Sequence, residues 1–271
     1  MRRPLSYLLL SFLVLGLVSQ PLLAADDSPN TKDLVWKSYR AAYFQGDDAK
    51  ARVTMEITNN KGQTRTRKLS LLRMDIDDKN QKYYSYFHEP PRLRDMVFMV
   101  WTHANEQDDR WLYLPSIDVV QRITGSQKRN SFAGSDFTYE DMTGRYPAND
   151  TFEYLGEDSY QGNQVHVIEG KPKNPDLVEF SRYEVKIDKE TYLPWIAVFY
   201  TPQGEKHRTL TLEEVKTIQG YKTPVVQKAI DHQTGSTSVA TMEEVKYDIG
   251  LPERVFEKRY LRRPPTPWIK P

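Results

Sequence analysis

From residue 50 onward, apolar and polar residues alternate with a period of two over most of the chain. In "ARVTMEITNNKGQTRTRKLSLLRM", Val53, Met55 and Ile57 share one face of a run, and Leu69 and Leu71 share a face of the next. Between the runs, Asn59-Asn60-Lys61-Gly62 has the composition of a hairpin turn. "KYYSYF" and "DMVFMVW" predict two more strands around His88-Glu89-Pro90-Pro91, and "DRWLYLPSIDVVQRI" predicts a strand, a proline corner and a strand. One segment has a different period: Leu34, Trp36, Tyr39, Ala42 and Tyr43 recur at helical spacing. With Thr31 or Asp33 as cap and Gly46 as terminator, the spacing predicts an amphipathic helix over 32–45.

From residue 151 the pattern becomes a meander. Turns are predicted at Gln161-Gly162-Asn163, Pro202-Gln203-Gly204, Gln219-Gly220 and Gln233-Thr234-Gly235. In "RYEVKID", Tyr183, Val185 and Ile187 face one way and Glu184 and Lys186 the other. Strand and turn in repetition argue for one antiparallel sheet rather than βαβ units. "MVFMVW" and "WIAVFY" are apolar on both faces, as expected of strands covered on both sides. Residues 124–147 break the alternation, and a connection this long in a compact domain is usually functional or mobile. A helical turn near Tyr139 to Thr143 is expected in it, with Ser135 or Asp136 as cap. The tail "RRPPTPWIKP" is proline-locked and expected to run extended on the surface or against a partner.

Residues 1–25 have the make-up of a cleaved signal peptide: Arg2 and Arg3, an apolar Leu8 to Leu17, and small residues at Ala24 and Ala25. Export across a membrane is the expectation. The chain has no cysteine, which excludes disulfides and a thiol nucleophile. Stability must come from a core, and roughly 245 remaining residues suffice for one. Lys plus Arg number 38 against 37 for Asp plus Glu, so no basic stripe points to nucleic acid. The 17 Tyr, 10 Phe and 5 Trp favour strands and apolar surfaces.

Catalytic chemistry finds little support. His88, His103, His166, His207 and His232 lack metal-ligand spacing. "DIDDKN" has Asn80 and Tyr86 where a calcium loop needs glycine and glutamate. There is no G-x-S-x-G elbow, phosphate loop or dinucleotide fingerprint. No catalytic residue, metal or cofactor is expected. The carboxylates Asp136, Glu140 and Asp141 could serve a glycan-acting enzyme. The stronger reading is local: Asp136 or Ser135 caps a short helix, with the acidic residues in its first turn.

What remains is apolar surface. If the concave face of a curled sheet receives a ligand, Val97, Met99, Trp101, Trp111, Tyr113, Trp195 and Phe199 are candidates to line it. Trp36 would come from the helix, and Phe132, Phe137 and Tyr139 from the long loop. Periodicity does not separate such a cavity from a filled core.

The stretch "DRWLYLPSIDVVQRITGSQKRNSFAGSDFTYEDM" at 109–142, with "IDKETYLPWIAVFYTPQGE" and "YDIGLPERVFEKRYLRR", resembles LolA-like periplasmic proteins of the outer-membrane lipoprotein-sorting type. The resemblance spans about Leu34 to Arg263. It implies a mainly β fold with a few helices: a single antiparallel sheet curled into an incomplete, half-open β-barrel with a helical lid, as in LolA and LppX. The helix at 32–45 and the segment 131–143 would form that lid. The implied domains are a signal peptide at 1–25, the LolA-like domain at 26–263 and a proline-rich tail at 264–271. The implied activity is non-enzymatic shielding of a lipid or lipoprotein acyl chain by a monomer, between inner and outer membranes. An inner-membrane RND-type transporter is the implied partner, and an accessory subunit that carries no cargo is the alternative. Arg110, Arg122, Arg129 and Arg145 flank the first block. Each is a candidate to contact a head group, to pin the loop, or to pair with Asp108, Asp109 or Glu140.

Overall fold

The computed structural model describes residues 30–104 and 106–269. The expected signal peptide at 1–25 lies outside the described residues. Helix α1 (Thr31–Tyr43) is followed by six strands: β1 (Asp48–Thr58), β2 (Thr64–Asp75), β3 (Gln81–Glu89), β4 (Val97–Trp101), β5 (Asp109–Leu114) and β6 (Val119–Arg122). A crossing segment, 123–149, leads to seven more: β7 (Asp150–Tyr160), β8 (Asn163–Pro172), β9 (Arg182–Asp188), β10 (Pro194–Tyr200), β11 (Lys206–Ile218), β12 (Tyr221–Asp231) and β13 (Ser236–Tyr247). A short helix, α2 (Thr266–Ile269), ends the described chain.

All thirteen strands join one antiparallel sheet in the order β6-β5-β4-β3-β2-β1-β13-β12-β11-β10-β9-β8-β7. It is two meanders sharing a seam, where β1 pairs with β13 along Ala49↔Tyr247 to Thr58↔Thr237. The sheet does not close, so β6 and β7 remain its edges. The turns follow the residues that encode them. Between β1 and β2 the Asn59 carboxamide accepts the N–H groups of Lys61 and Gln63 at 3.0 Å, and Gly62 supplies φ +76°.

The edges dictate the curl. Residues 123–149 must connect β6 to β7 across the whole sheet. Thirteen strands about 4.8 Å apart would span roughly 58 Å if flat. The connection is folded on itself, with 3-10 turns at Gly125–Arg129 and Pro147–Asn149. So compact a segment bridges the edges only when the sheet curls around it. The segment accordingly lies across the concave face, touching β3, β11 and β13.

Alternation then sorts each strand into two faces. Val53, Met55 and Ile57 of β1, Leu69 of β2, Tyr83 and Phe87 of β3, and Phe98 and Val100 of β4 form the concave core with Phe132 and Phe137. Farther along, Ile168, Val185 and Ile187 pack under Leu34 and Val35 of α1. The opposite parity (Leu72, Tyr84, Tyr86, Val97, Met99 and Trp111) faces outward. Leu251, Val255, Phe256, Leu261 and Ile269 cover it. The doubly apolar reading of "MVFMVW" is therefore correct for β4, whose Val97 to Val100 are all buried.

Two expectations need correction. The cap of α1 is Asn30, whose side chain accepts from Asp33 N at 3.3 Å, in place of Thr31 or Asp33. The tail is not extended on the surface. Residues 249–269 form a strap whose carbonyls meet donors of the sheet: Trp101 Nε1 to Phe256 O at 3.0 Å, Tyr84 OH to Tyr260 O and Ser70 Oγ to Ile269 O, both at 2.8 Å. The prolines fix the strap's path, and the outward-facing rings of β3 to β5 are buried beneath it.

Candidate functional site

The crossing segment forms a flap over the concave face. Its tip is a tight loop closed by a Ser131↔Thr138 bridge, with Ala133 and Gly134 at φ +53° and +77°. Phe132 points inward and is wholly buried, with its centroid 5.6 Å from Phe87 and from Phe98 and 5.7 Å from Tyr139. Ser135 Oγ donates to Phe132 O at 2.7 Å, holding the tip together. Residues 139–143 form consecutive hydrogen-bonded turns, Asp141 N donating to Thr138 O and Thr143 N to Glu140 O at 3.2 Å, that do not extend into a helix. Thr138 and Asp141 instead cap one another, Thr138 N donating to Asp141 Oδ2 at 2.7 Å and Asp141 N to Thr138 Oγ1 at 3.2 Å. Asp136 caps nothing. Its carboxylate receives the hydroxyls of Ser236 and Ser238, the latter at 2.6 Å, riveting the flap to β13.

Ion pairs hold the remainder of the flap. Glu140 is 2% exposed and meets Lys128 and Arg129 at 2.7 Å and Arg145 at 3.3 Å. Burial pushes its carboxyl upward, but the three cations outweigh burial and hold it down at about 2. Arg129 also grips Glu179, with Nε 3.0 Å from Oε2, and Arg145 grips Asp150 at 2.7 and 2.8 Å. Arg110 pairs with Asp108 and Arg122 with Asp109. All four flanking arginines are thus taken by acids, two of them pinning the flap. Asp136, Glu140 and Asp141 are each engaged in hydrogen bonds or ion pairs that fix the flap.

Two apolar chambers lie between flap, α1 and sheet. The first, of about 150 Å³, is walled by Val53, Met55, Leu69, Tyr83, Ala240 and Met242. The second, of about 180 Å³, is walled by Val35, Tyr183, Val185, Ile187, Phe199 and Leu210. Ala42, Tyr43, Phe137, Asp141 and Gln227 border both, so they form the partition. Both chambers are roofed by α1. Tyr39 OH donates to Thr143 O at 3.2 Å and Tyr43 OH to Asp141 O at 3.4 Å, tying helix to flap. Gly144 makes this approach possible. A Cβ there would sit 2.5 Å from Tyr43 Cε2 and 2.9 Å from Tyr39 Cε2, and its φ is +75°.

The sequence-derived lining residues divide sharply. Phe137 lies in the partition and Phe199 lines the second chamber. Phe132 and Tyr139 pack in the concave core beside them. Trp36 stays outside the chambers, its ring edge-on to Tyr146 at 5.0 Å. Trp195 is turned away as well, donating Nε1 to Asp188 Oδ2 at 2.9 Å. Val97, Met99, Trp101, Trp111 and Tyr113 are on the wrong face: they pack under the strap on the convex side. The cause is parity. In strands apolar on both sides, periodicity carries no sign of direction. The signal that does point inward is in β1, whose Val53, Met55 and Ile57 belong to a run with one apolar face only. Ala42 belongs to the helical stripe read from the sequence, whereas Ala240 carries no such signal, because a small residue marks a cavity wall only once the opposite wall is known.

The fold and site define a class: an open, curled antiparallel sheet with apolar concave chambers under a helix and a pinned flap. A family model described only as that of an uncharacterized protein matches residues 79–263. A domain described as an outer membrane lipoprotein-sorting protein, from Vibrio parahaemolyticus, is similar over 86% of this chain and 98% of its own, with TM-score 0.79 and 26% identity. A DUF1329 family protein from Desulfovibrio piger covers 85% of this chain and 97% of its own, with TM-score 0.78 and 25% identity. The fold of a LolA superfamily protein from Nitrosomonas europaea also matches, with TM-score 0.66 over 86% of this chain and all of its own, at 18% identity. Comparison with curated proteins gives no match. The chain belongs to the LolA-like family.

Proposed function

We propose that this protein is a periplasmic carrier that shields an acyl chain of a lipid or lipoprotein in its concave chambers while the cargo crosses between membranes. The observation that carries the reading is the pair of chambers walled by Val53, Met55, Leu69, Val185 and Ile187 beneath the flap. Apolar walls around unfilled space favour a hydrocarbon guest over water. Burial of a methylene contributes about 0.8 kcal/mol, so about eight carbons contribute about 6 kcal/mol. Met55, Met142 and Met242 line the first chamber, and unbranched thioether side chains adapt to chains of different shape. Similarity to a lipoprotein-sorting domain agrees with this cargo class. No residue is assigned a catalytic role, and the transporter partner implied by the resemblance belongs to the same reading.

Native mass spectrometry of the protein purified from periplasm tests the proposal. A bound mass that fragments to fatty acyl groups is the expected result. Apoprotein alone, under conditions that retain lipid on a control carrier, would overturn it.

A further inference from the structure

In the half of the sheet built from β1 to β6, the connections at the two ends differ in charge. Antiparallel pairing sets the β1–β2 turn, the β3–β4 connection and the β5–β6 turn at one end, with Lys68 opposite Glu89 and Val97 opposite Tyr113. There, residues 59–68, 89–96 and 115–118 carry six cations and three carboxylates. The opposite end has the reverse balance: residues 75–80 and 102–109 carry six carboxylates and one lysine. A chain balanced overall at 38 against 37 is therefore polarised along these strands. At the basic end the acids are engaged. Glu89 pairs with Lys68 at 3.4 Å, Asp118 with Arg262 of the strap at 2.8 Å, and Asp95 accepts from Tyr86 OH. Asp136 of the flap tip is held by the hydroxyls of Ser236 and Ser238, and Asp231 of the adjoining turn by the N–H groups of Gln233 and Thr234. Lys61, Arg65, Arg67, Arg92 and Arg94 form no ion pair among the described residues. Arg67 holds the flap tip, donating Nε to Ala133 O at 3.2 Å. Burial lowers its pKa, and the charges of Arg92 and Arg65 lower it further, with no carboxylate acting in return. Ile117, 64% exposed, and Val119, 42% exposed, stand at the same end beside the outer edge of the sheet.

We propose that this basic rim docks on a membrane surface bearing anionic head groups, with Ile117 and Val119 entering the interface. The spread of the charge favours a surface over a small anion. From the β1–β2 turn to the β5–β6 turn the rim crosses four strand spacings, about 19 Å, which exceeds the roughly 10 Å over which one ion acts through dilute salt. A bilayer supplies charge to the unpaired arginines and apolar depth to the uncovered aliphatic side chains. The acidic far end is repelled by the same surface, so the polarity of the strands decides which end faces it. The inference goes beyond the carrier reading and does not rest on it.

Co-sedimentation of the protein purified from periplasm tests the rim with two kinds of vesicle. One holds phosphatidylglycerol and phosphatidylcholine in equal parts, the other phosphatidylcholine alone. Binding to the anionic vesicles only is expected, and added salt should weaken it. Each cation lost from such a contact weakens it about fivefold, so Arg65→Ala/Arg92→Ala should lower vesicle affinity about 25-fold. Arg65→Lys/Arg92→Lys should retain most of it. Lys216→Ala/Lys246→Ala removes the same charge at the far end and should change affinity less than about twofold. All four positions are exposed, so each variant is expected to keep the parent's circular dichroism. Ile117→Ser should weaken binding by a factor that salt leaves unchanged. Equal binding to the two kinds of vesicle, or equal weakening by the two alanine pairs, overturns the proposal. Capture of soluble polyglutamate through Arg65 and Arg92, without vesicle binding, also overturns it and points to an acidic protein in place of a membrane. Rim-dependent vesicle binding by a protein that yields no bound acyl lipid supports the rim and counts against the carrier reading alone.

Discussion

The guanidinium of Arg208 on β11 holds both carboxylate oxygens of Asp141 in the flap, with Nη2 3.2 Å from Oδ1. The two residues are 67 positions apart, and Asp141 also borders both apolar chambers. The pair is nearly dry, with side chains 5% and 12% exposed. It therefore fixes the flap at the point where the cavity divides. Removing one partner leaves a buried charge without compensation. Asp141→Ala should lower stability by about 3 kcal/mol in urea denaturation and speed amide exchange across 131–146 ahead of the sheet.

Gly144 tests the closeness of helix and flap. Alanine there meets the rings of Tyr39 and Tyr43 and must adopt a positive φ. Gly144→Ala is expected to cost more than about 1 kcal/mol in thermal or urea unfolding. An unchanged midpoint would show that the flap does not seat against α1 as described.

Phe137 is the partition between the chambers. Each chamber lies below the roughly 300 Å³ at which ligand pockets usually begin, so a long chain needs both. Phe137→Ala should destabilise the empty protein by about 3 kcal/mol. A hexadecanoyl probe should restore more of that loss than an octanoyl probe at equal concentration, because ligand binding adds stability by mass action. Equal rescue by both probes would show that the chambers do not join there.

Acid should release the flap. The folded-state pKa of Glu140 is depressed from 4.5 to about 2 by its three cations. Its contribution is therefore fully present above about pH 4.5 and is lost as pH falls from there through 2. The magnitude is on the order of 3 kcal/mol. Glu140→Gln should be less stable at neutral pH and should lose less stability than the parent between pH 5 and 3, as measured by urea midpoints.

Much of the fold is legible in the chain because its signals are local. Asn59 to Gly62 and the glycine turns from 162 to 235 each punctuate one hairpin, and a meander needs nothing else. The site was less legible because it depends on direction. Val97 and Phe98 are equally apolar neighbours, yet one faces the strap and the other the flap, and only the long-range placement of residues 249–269 decides which. The carboxylates of 136–141 misled for a related reason: Asp136 reads as a local cap, but its partners, Ser236 and Ser238, lie 100 and 102 residues away.

The central claim is that an acyl chain lies between α1 and the concave sheet. Ala42 on α1 borders both chambers, so a bulky side chain there would fill them from the roof without touching the sheet's hydrogen bonds. Equilibrium binding of a fluorescent hexadecanoyl probe to the parent and to Ala42→Trp, both checked for native circular dichroism, measures this directly. The account predicts submillimolar binding to the parent and at least about tenfold weaker binding to Ala42→Trp. Equal affinity for the two folded proteins would contradict it.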